Sequence, residues 1–368
     1  MTEMFAKRHC LLLLGRSGLG KTTYFRYLTA RLSSGSAHLN PALVPVYIPI
    51  GRYFPARKDV RALFHLQIAS LGGLTDQQIT SQLLESGGFL ILIDGLDEVD
   101  AEARSNVSAF IDANRANRII VSSQEPYAEL SGIPTTKVPA LGSEEIAKLL
   151  SSFMEPARAR KLLAELPADS LHHYQVPQNV VLAAGLVRER GSLPATEPEL
   201  YHRLFEPAFS AWAAEGNEGY RELLCRCAFN LVVKRQLRLD GGEPAIPAAI
   251  VAWLSAQGMV RKSEQASFFR HDTIRDFLAS RYFIDNWKET LDAPETSVAK
   301  HWVPMLRLAL LDVGDDQERA FIFDKLLEAN GDVAGITYRE WRKSSVCQAV
   351  AWEGVFLRNF GAKTLQAA

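Results

Sequence analysis

The sequence predicts an α/β domain built on a parallel sheet, followed by helical domains. Three apolar runs with the character of buried strands support this prediction, at residues 11–14 (LLLL), 89–94 (FLILID) and 117–126 (NRIIVSSQEP, a strand and its turn). Helical patterns separate these runs, and strands that alternate with helices form a parallel sheet with helices on both faces. Such sheets bind ligands at the carboxyl ends of their strands, so functional residues are expected just after each run.

The remaining elements of this domain follow in order along the chain. Residues 43–54 (LVPVYIPIGRYF) are rich in β-branched residues and predict another strand, and residues 60–71 predict a helix. Thr75 and Gln78 have the spacing of a capping box, which would begin the next helix. A pair of glycines before the FLILID run would end that helix.

Length and composition exclude several classes of protein. The chain has 368 residues, of which 47% are hydrophobic and 23% charged, enough for two or three packed domains. The formal net charge is -1, so no overall charge favours nucleic acid or an anionic membrane as a partner. The longest apolar run near the start is far shorter than the roughly 20 residues of a membrane-spanning helix. We therefore expect a cytoplasmic protein without a membrane partner.

The first apolar run leads into a loop that is typical of phosphate binding. Residues 15–22 (GRSGLGKT) fit the P-loop pattern G-x-x-x-x-G-K-[ST], between a predicted strand and a predicted helix. Glycines let backbone N–H groups approach phosphate oxygens, and the helix N-terminus favours an anion. Lys21 would contact the β and γ phosphates, Thr22 would bind Mg²⁺, and Thr23 would contact the α phosphate. The predicted nucleotide contacts of this segment are Gly15, Ser17, Gly18, Leu19, Gly20, Lys21, Thr22 and Thr23. The alternative is a glycine-rich turn that happens to contain a lysine.

The second apolar run ends in a group of acids. Asp94 stands at the carboxyl end of the predicted strand, where it would hold Mg²⁺ directly or through water as the Walker B residue. Asp97 and Glu98 follow in the next turn, and one of them would orient or deprotonate the attacking water. With Lys21, these two acids are the candidate catalytic residues. The alternative is an acidic loop that is merely solvated at the end of a strand.

With these motifs in this order, the sequence resembles the NACHT family of STAND nucleotide-switch ATPases, the signal-transducing relatives of AAA+ proteins. The specific resemblance is LIDGLDE (92–98), in which a small residue follows the aspartate and two further acids follow at a fixed offset. The resemblance implies an α/β P-loop NTPase fold of the ASCE class, a parallel sheet with flanking helices, at residues 1–140. It also implies ATP and ADP as ligands, together with Mg²⁺.

The resemblance continues beyond the sheet. Residues 141–215 resemble the family's small helical domain, in which a proline at a helix start lies against adenine; here that residue is Pro177. Residues 216–290 resemble its winged-helix domain, in which a histidine in an F-x-H motif contacts the β phosphate; here that residue is His271. Residues 291–368 would form an α-helical C-terminal region, either the start of sensor repeats or a short cap.

Two features depart from the family's pattern. The family often has Thr-Ser-Arg at the tip of the fourth strand, whereas this chain has Ser122, Ser123 and Gln124. Glutamine can still donate a hydrogen bond to the γ phosphate, but it has no charge, so hydrolysis or ATP sensing would be weakened. About ten residues precede the first predicted strand, too few for an effector domain, so we expect either that this chain is an excised central module or that the effector, outside this chain, comes from another polypeptide.

The resemblance therefore implies a molecular switch that hydrolyses ATP slowly. ADP would hold a closed state, and exchange for ATP would open it, promote self-association and activate an effector. Signalling or innate immune defence, against phage or through cell death, is the setting that the family implies. Two alternatives stay open: a DNA-dependent AAA+-like ATPase whose winged helix binds duplex DNA, and a nucleotide-binding scaffold without turnover.

Overall fold

The structure, a computed structural model, shows two compact units, Met1–Ala140 and Leu141–Ala368. The described residues are 9–34, 43–53, 59–70, 77–167, 170–236, 238–262, 267–293 and 297–344. Parts of the sequence interpretation lie outside these ranges: Thr75 of the predicted capping box, the last residue of the strand predicted at 43–54 and that of the helix predicted at 60–71, residues 263–266 of the segment that resembles a winged helix, and residues 345–368.

The first unit contains a five-stranded parallel sheet. Its strands are β1 (Cys10–Leu14), β2 (Val44–Pro49), β3 (Phe89–Asp94), β4 (Arg118–Ser123) and β5 (Thr135–Lys137). Their spatial order is β2-β3-β4-β1-β5, so β4 lies between the strand that leads into the glycine-rich loop and the strand that ends in the acids. Because all five strands run in one direction, the loops after β1, β3 and β4 lie at the same edge. The predicted parallel sheet with flanking helices is confirmed.

Helices cover both faces of this sheet. They are α1 (Lys21–Ser33), α2 (Ile50–Tyr53), α3 (Val60–Ser70), α4 (Gln77–Ser86) and α5 (Ala101–Ala113), with 3₁₀ turns at Leu96–Glu98 and Ala128–Leu130. Successive strand residues point to opposite faces. Leu11 and Leu13 of β1 therefore pack with Phe25 of α1, whereas Leu12 packs with Phe64 of α3. The alternation explains why the strands are apolar throughout.

The second strand is shorter than predicted. The strand expected at residues 43–54 ends at Pro49, and residues 50–53 form the helical turn α2 instead. Proline has no backbone N–H group, and it is tolerated at the end of β2 because this strand lies at an edge of the sheet. In α2, Gly51 packs against Glu98: a Cβ atom at residue 51 would lie 2.0 Å from Glu98 Oε2. A larger residue here would require the Glu98 side chain or the turn to shift.

The second unit is mostly helical. Its helices are α6 (Ser143–Leu150), α7 (Pro156–Ala164), α8 (Leu171–Tyr174), α9 (Pro177–Arg190), α10 (Glu197–Ala214), α11 (Gly219–Val233), α12 (Ala248–Ala256), α13 (Asp272–Asp292), α14 (Val303–Asp312), α15 (Asp316–Ala329) and α16 (Gly331–Ser344), with further 3₁₀ turns at Leu239–Gly241 and Lys300–Trp302. An antiparallel hairpin of β6 (Val260–Lys262) and β7 (Ser267–Phe269) stands between α12 and α13. The segment predicted as a winged helix thus contains α11, α12, the hairpin and most of α13. Among the described helices, none combines the length and the apolar character that a membrane crossing requires.

One hydrophobic cluster joins the C-terminal helices to the middle of the second unit. It extends from Tyr201 in α10 to Trp341 in α16 and includes Phe277 of α13 and Met305 of α14. A separate cluster packs α6 to α10 together. Helices α14 to α16 therefore share a core with the helices before them and do not form a core of their own.

Buried ion pairs attach α14 to its neighbours. Arg307 of α14 donates to Glu197 at the start of α10, at an N–O distance of 2.8 Å. Asp312 at the end of α14 accepts from His202 at 2.9 Å and from Arg281 at 2.6 Å. Burial would raise the pKa of Glu197, but the adjacent Arg307 guanidinium outweighs this effect and lowers it. Charge as well as apolar packing thus ties α14 to α10 and α13.

We expect Arg307→Met to destabilise the second unit by about 3 kcal/mol, because it leaves the buried Glu197 carboxylate without its counter-ion. Urea unfolding followed by tryptophan fluorescence measures this loss, since all six tryptophans lie in residues 141–368. The matched control is Lys325→Met, which breaks an exposed pair with Asp292 and should change nothing measurable. Equal effects of the two substitutions would contradict the structural role of the buried pair.

Candidate functional site

The glycine-rich loop joins the end of β1 to the start of α1. Gly18 and Gly20 have φ angles of 78° and 85°, the left-handed region that glycine adopts without strain. Gly20 is the residue before α1, and as a glycine it makes no side-chain cap to the N–H groups of the first turn. A Cβ atom at Gly15 would lie 3.2 Å from Val138 Cβ, so the loop begins where β1 and the segment after β5 are close. The result is a row of backbone donors at a helix N-terminus, which suits a phosphate.

Lys21 lies across its own loop. Its ammonium group donates to the carbonyl oxygen of Gly15 and, at 3.0 Å, to that of Arg16. These bonds hold the lysine on the loop side of the first turn of α1. Thr22 and Thr23 follow in that turn, so the three predicted phosphate and metal contacts are presented by one helix start.

The strand that ends in the acids directs Asp94 towards α1. Leu90 and Leu92 of β3 pack in the cluster that contains Phe25 and Leu28 of α1. Side chains two residues apart on a strand point to the same face, so Asp94 belongs to this face as well. The loop and the acid are further linked through β4: the N–H group of Gly15 donates to the carbonyl oxygen of Ser123 at 3.0 Å.

Asp94 is buried, with 7% of its surface exposed, and both carboxylate oxygens accept hydrogen bonds. Ser122 Oγ, next to Ser123 in β4, donates to Oδ1 at 2.5 Å, and the hydroxyl of Tyr47 in β2 donates to Oδ2 at 2.8 Å. Burial, together with the neighbouring negative charge of Asp94, raises the pKa of Tyr47, so its hydroxyl keeps its proton. Strands on both sides of β3 thus orient this carboxylate.

Asp97 is paired with Gln124, the residue at the tip of β4. Its Oδ1 accepts from the backbone N–H group of Gln124 at 3.0 Å, and its Oδ2 accepts from the Gln124 side-chain amide at 2.7 Å. The amide that was predicted to face the γ phosphate therefore donates to a carboxylate in this state. The pair joins the turn after β3 to the turn after β4.

Glu98 differs from Asp97 in its surroundings. It is exposed, and its carboxylate lies between Gly51 and Gly95, where Cβ atoms would approach it at 2.0 Å and 3.0 Å. Gly95 has a φ angle of 87° and begins the 3₁₀ turn that contains both acids. Two glycines therefore shape the space that the Glu98 side chain occupies.

The donors at this edge of the sheet suit Mg²⁺. Thr22 offers a hydroxyl and Asp94 a carboxylate, and Mg²⁺ prefers oxygen ligands from one or two protein groups together with phosphates and water. Within the described ranges there is no cluster of three or more His, Cys, Asp or Glu residues that would hold a metal without a nucleotide. The residues present therefore fit a metal that arrives with a triphosphate.

The two remaining predicted contacts belong to the second unit. Pro177 is the first residue of α9, and His271 immediately precedes α13. Gln178 donates from Nε2 to Thr273 Oγ1 at 2.7 Å, so the starts of these two helices lie together. Burial lowers the pKa of His271 to about 4, with help from the charge of Arg270, so its imidazole is neutral at pH 7.

Sequence reasoning missed two residues of the site, Tyr47 and Ser122. Ser122 lies beside Asp94 only because β4 stands between β1 and β3, an order that no local pattern of the sequence predicts. Tyr47 has no local signal, because a tyrosine in an apolar strand more often contributes packing area alone. Only the pairing of β2 with β3 brings its hydroxyl to the carboxylate.

Comparison with known proteins shows distant structural likeness only. No protein-family profile and no curated protein matches the sequence. The chain is similar to the Walker-type ATPase paby2304 of Pyrococcus abyssi at 13% identity and a TM-score of 0.36, over 75% of this chain and 92% of that one. It is also similar to a STAND protein with a tetratricopeptide repeat sensor from Pyrococcus horikoshii, at 14% identity and a TM-score of 0.38.

That second likeness covers 93% of this chain but only 52% of the STAND protein, so the chain spans about half of its length. A third similar structure is Drosophila ORC bound to DNA, at 14% identity and a TM-score of 0.32, over 72% of this chain and 87% of that one. At such low identity, the function has to be inferred from the site itself.

The neutral state of His271 leads to a pH prediction. The pKa of an unfolded histidine is about 6.5, whereas that of His271 in the folded chain is about 4, because of burial and the charges of Arg270 and Arg261, which exceed the opposing effect of Asp272. The unfolded state therefore binds more protons between these values, and the stability that His271 contributes is lost as the pH falls from 6.5 to 4.

We expect the free energy of unfolding of the natural chain to fall more steeply across this window than that of His271→Gln. Histidine NMR should place the His271 titration near pH 4, with the variant identifying its signal. If the free energy of unfolding falls equally with pH in the two proteins, the imidazole is not buried in its neutral form.

Proposed function

We propose that this chain is an ATP-binding and slowly hydrolysing molecular switch of the NACHT class of STAND ATPases, which uses Mg²⁺. The observation that carries the proposal is the link from loop to acid through β4: Gly15 is bonded to Ser123, and Ser122 is bonded to Asp94. It links the N-terminus of a helix to a buried, oriented carboxylate, and binding of a metal and a triphosphate requires both.

In this proposal different residues of the loop contact different phosphates. The N–H groups of Gly18, Leu19 and Gly20 would surround the β phosphate, with Gly15 and Ser17 completing the loop. Lys21 would exchange its carbonyl partners for the β and γ phosphates, which bind an ammonium group more strongly because they are charged. Thr22 and Asp94 would hold Mg²⁺, which supplies charge neutralisation at the phosphates, and Thr23 would contact the α phosphate.

Of the two candidate acids, the geometry favours Glu98 as the residue that orients the attacking water. Both oxygens of Asp97 already accept N–H bonds from Gln124, so Asp97 is held as a structural partner of the β4 tip. Glu98 is exposed at the same edge. General-base catalysis needs a carboxylate that water can reach, and the exposure of Glu98 supports this role.

The switch itself would involve the second unit. We propose that in the ADP state Pro177 lies against the adenine and His271 donates a hydrogen bond to the β phosphate, as a neutral imidazole and not as a cation. A γ phosphate with Mg²⁺ would favour the open state by its differential affinity. Moving the population from 1% to 99% open requires about 5.5 kcal/mol, which several charge-assisted bonds could supply. Opening would allow self-association and activation of an effector outside this chain, in signalling or innate immune defence.

The first test is nucleotide binding. Lys21→Ala should weaken the binding of a fluorescent ATP analogue by about 10- to 100-fold, the effect of losing a hydrogen-bonded charge. Lys161→Ala, on the exposed surface of α7, is the matched control and should bind as the natural chain does. Unchanged affinity after Lys21→Ala would overturn the proposal, as would a purified protein that binds no adenine nucleotide.

The second test separates the two acids. In single-turnover hydrolysis of ATP, Glu98→Gln should lower the rate by about 100-fold or more while leaving nucleotide affinity unchanged. Asp97→Asn should have a smaller effect on the rate, because it retains a hydrogen-bonding partner for Gln124. If the order of the two effects is reversed, Asp97 is the catalytic acid. If neither changes the rate, the chain is a nucleotide-binding scaffold.

A DNA-dependent ATPase is the second candidate function. The hairpin β6–β7 follows two helices and carries two basic residues, Arg261 and Lys262, as a duplex-binding wing would. However, Arg261 packs over the ring of Phe268 at 5.6 Å, so one of the two charges is used within the hairpin. Binding to duplex DNA that weakens steeply between two salt concentrations would support this candidate over the switch.

A further inference from the structure

We propose that Tyr47 is a positioning residue for the Mg²⁺ site, because its hydroxyl holds the Asp94 carboxylate in the orientation that the metal and its waters require. The inference rests on the proposed nucleotide function and concerns a residue outside all the motifs. It follows from the contacts of three neighbouring strands and one helix.

The first observation is the position of Tyr47 on the edge strand. It pairs in register with Leu92 of β3, two residues before Asp94, and its ring packs on the face of the sheet that α1 covers. The long side chain of tyrosine spans those two residues, and its hydroxyl reaches Oδ2 at 2.8 Å. A phenylalanine would fill the same space without making this bond.

The second observation is the support of the ring from α1. The guanidinium carbon of Arg26 lies 5.8 Å from the centroid of the Tyr47 ring, within the range of a cation–π contact. Arg26 lies just over one turn after Thr22 on the same helix. The ring is therefore held between the helix that carries Lys21 and Thr22 and the strand that carries Asp94.

The third observation is that the hydrogen bonds to Asp94 leave lone pairs on both of its oxygens for a metal. A carboxylate has about four lone-pair sites, of which Tyr47 and Ser122 use one on each oxygen. The remaining two can coordinate Mg²⁺ or accept hydrogen bonds from its waters. The hydroxyl of Tyr47 therefore orients Asp94 without competing for it, as the outer partners of metal ligands usually do.

The decisive experiment compares nucleotide binding with and without metal. Affinity for a fluorescent ADP analogue is measured in EDTA and then as a function of Mg²⁺ concentration. Tyr47→Phe should leave the affinity in EDTA unchanged and raise the Mg²⁺ midpoint by about tenfold, the usual effect of losing an outer partner of a metal ligand. Tyr27→Phe removes a hydroxyl from an exposed tyrosine on α1 and should behave as the natural chain.

A double-substitution cycle distinguishes positioning from general structural support. If Tyr47 acts through Asp94, then Tyr47→Phe should have no further effect on the Mg²⁺ midpoint in a chain that already carries Asp94→Asn. A general loss of structure would instead lower nucleotide affinity in EDTA and add to the effect of Asp94→Asn. Arg26→Leu, which keeps the hydroxyl but removes the charge over the ring, is a second variant and should raise the midpoint by about two- to fivefold.

The outcomes separate the inference from the function on which it rests. If the natural chain shows Mg²⁺-dependent nucleotide binding and Tyr47→Phe has the same midpoint, the role of Tyr47 is wrong and the proposed function stands. If the natural chain binds no nucleotide, or binds it without any effect of Mg²⁺, the proposed function is wrong and the inference falls with it. A raised midpoint with unchanged affinity in EDTA supports both.

Discussion

The first unit depends on one constraint, a carboxylate buried at the end of an apolar strand. Burying a charge is costly unless hydrogen bonds replace the lost water, and Asp94 is 7% exposed. Its partners have to come from the strands on either side, because β3 itself offers only apolar side chains before this point. Tyr47 on β2 and Ser122 on β4 supply them. In the same strand order, only β4 separates Asp94 from the strand that leads into the glycine-rich loop. The strand that supplies a hydrogen bond to the acid therefore also positions the proposed phosphate site.

In the second unit, buried charged side chains hold helices together. The Arg307 to Glu197 pair and the charges around Asp312 attach α14 to two helices that precede it by about a hundred and about thirty residues in the chain. A buried pair adds little net stability compared with apolar residues, but removing one partner is costly, so it specifies which helices must lie together. The C-terminal helices are therefore fixed parts of this unit and would move with α10 and α13 in any switching motion.

Motifs formed by residues close together in the chain could be predicted, because the spacing of those residues identifies them. The loop at residues 15–22 and the acids near the end of β3 are recognised by their spacing along the chain. In the structure the loop joins a strand to a helix, and the acids lie at the end of a strand, as predicted. Tyr47 could not be predicted, since its role depends on which strands become neighbours, and an apolar pattern does not encode strand order. The pairing of Gln124 with Asp97 depends on two turn conformations that no spacing rule fixes. The apolar periodicity of residues 300–344 indicated helices but could not show which core they would join.

The close packing of Gly51 against Glu98 joins the segment after the edge strand β2 to the turn that carries the two acids. Since a Cβ atom at residue 51 would lie 2.0 Å from Glu98 Oε2, the helical turn at residues 50–53 forms one wall of the space in which this carboxylate can rotate. Because Pro49, directly before this turn, pairs in register with Asp94, a displacement of the turn would affect Asp94 as well as Glu98. If Glu98 orients the attacking water as proposed, the position of residues 50–53 would limit how its carboxylate reaches that water, so turnover would depend on the sheet edge as well as on the glycine-rich loop.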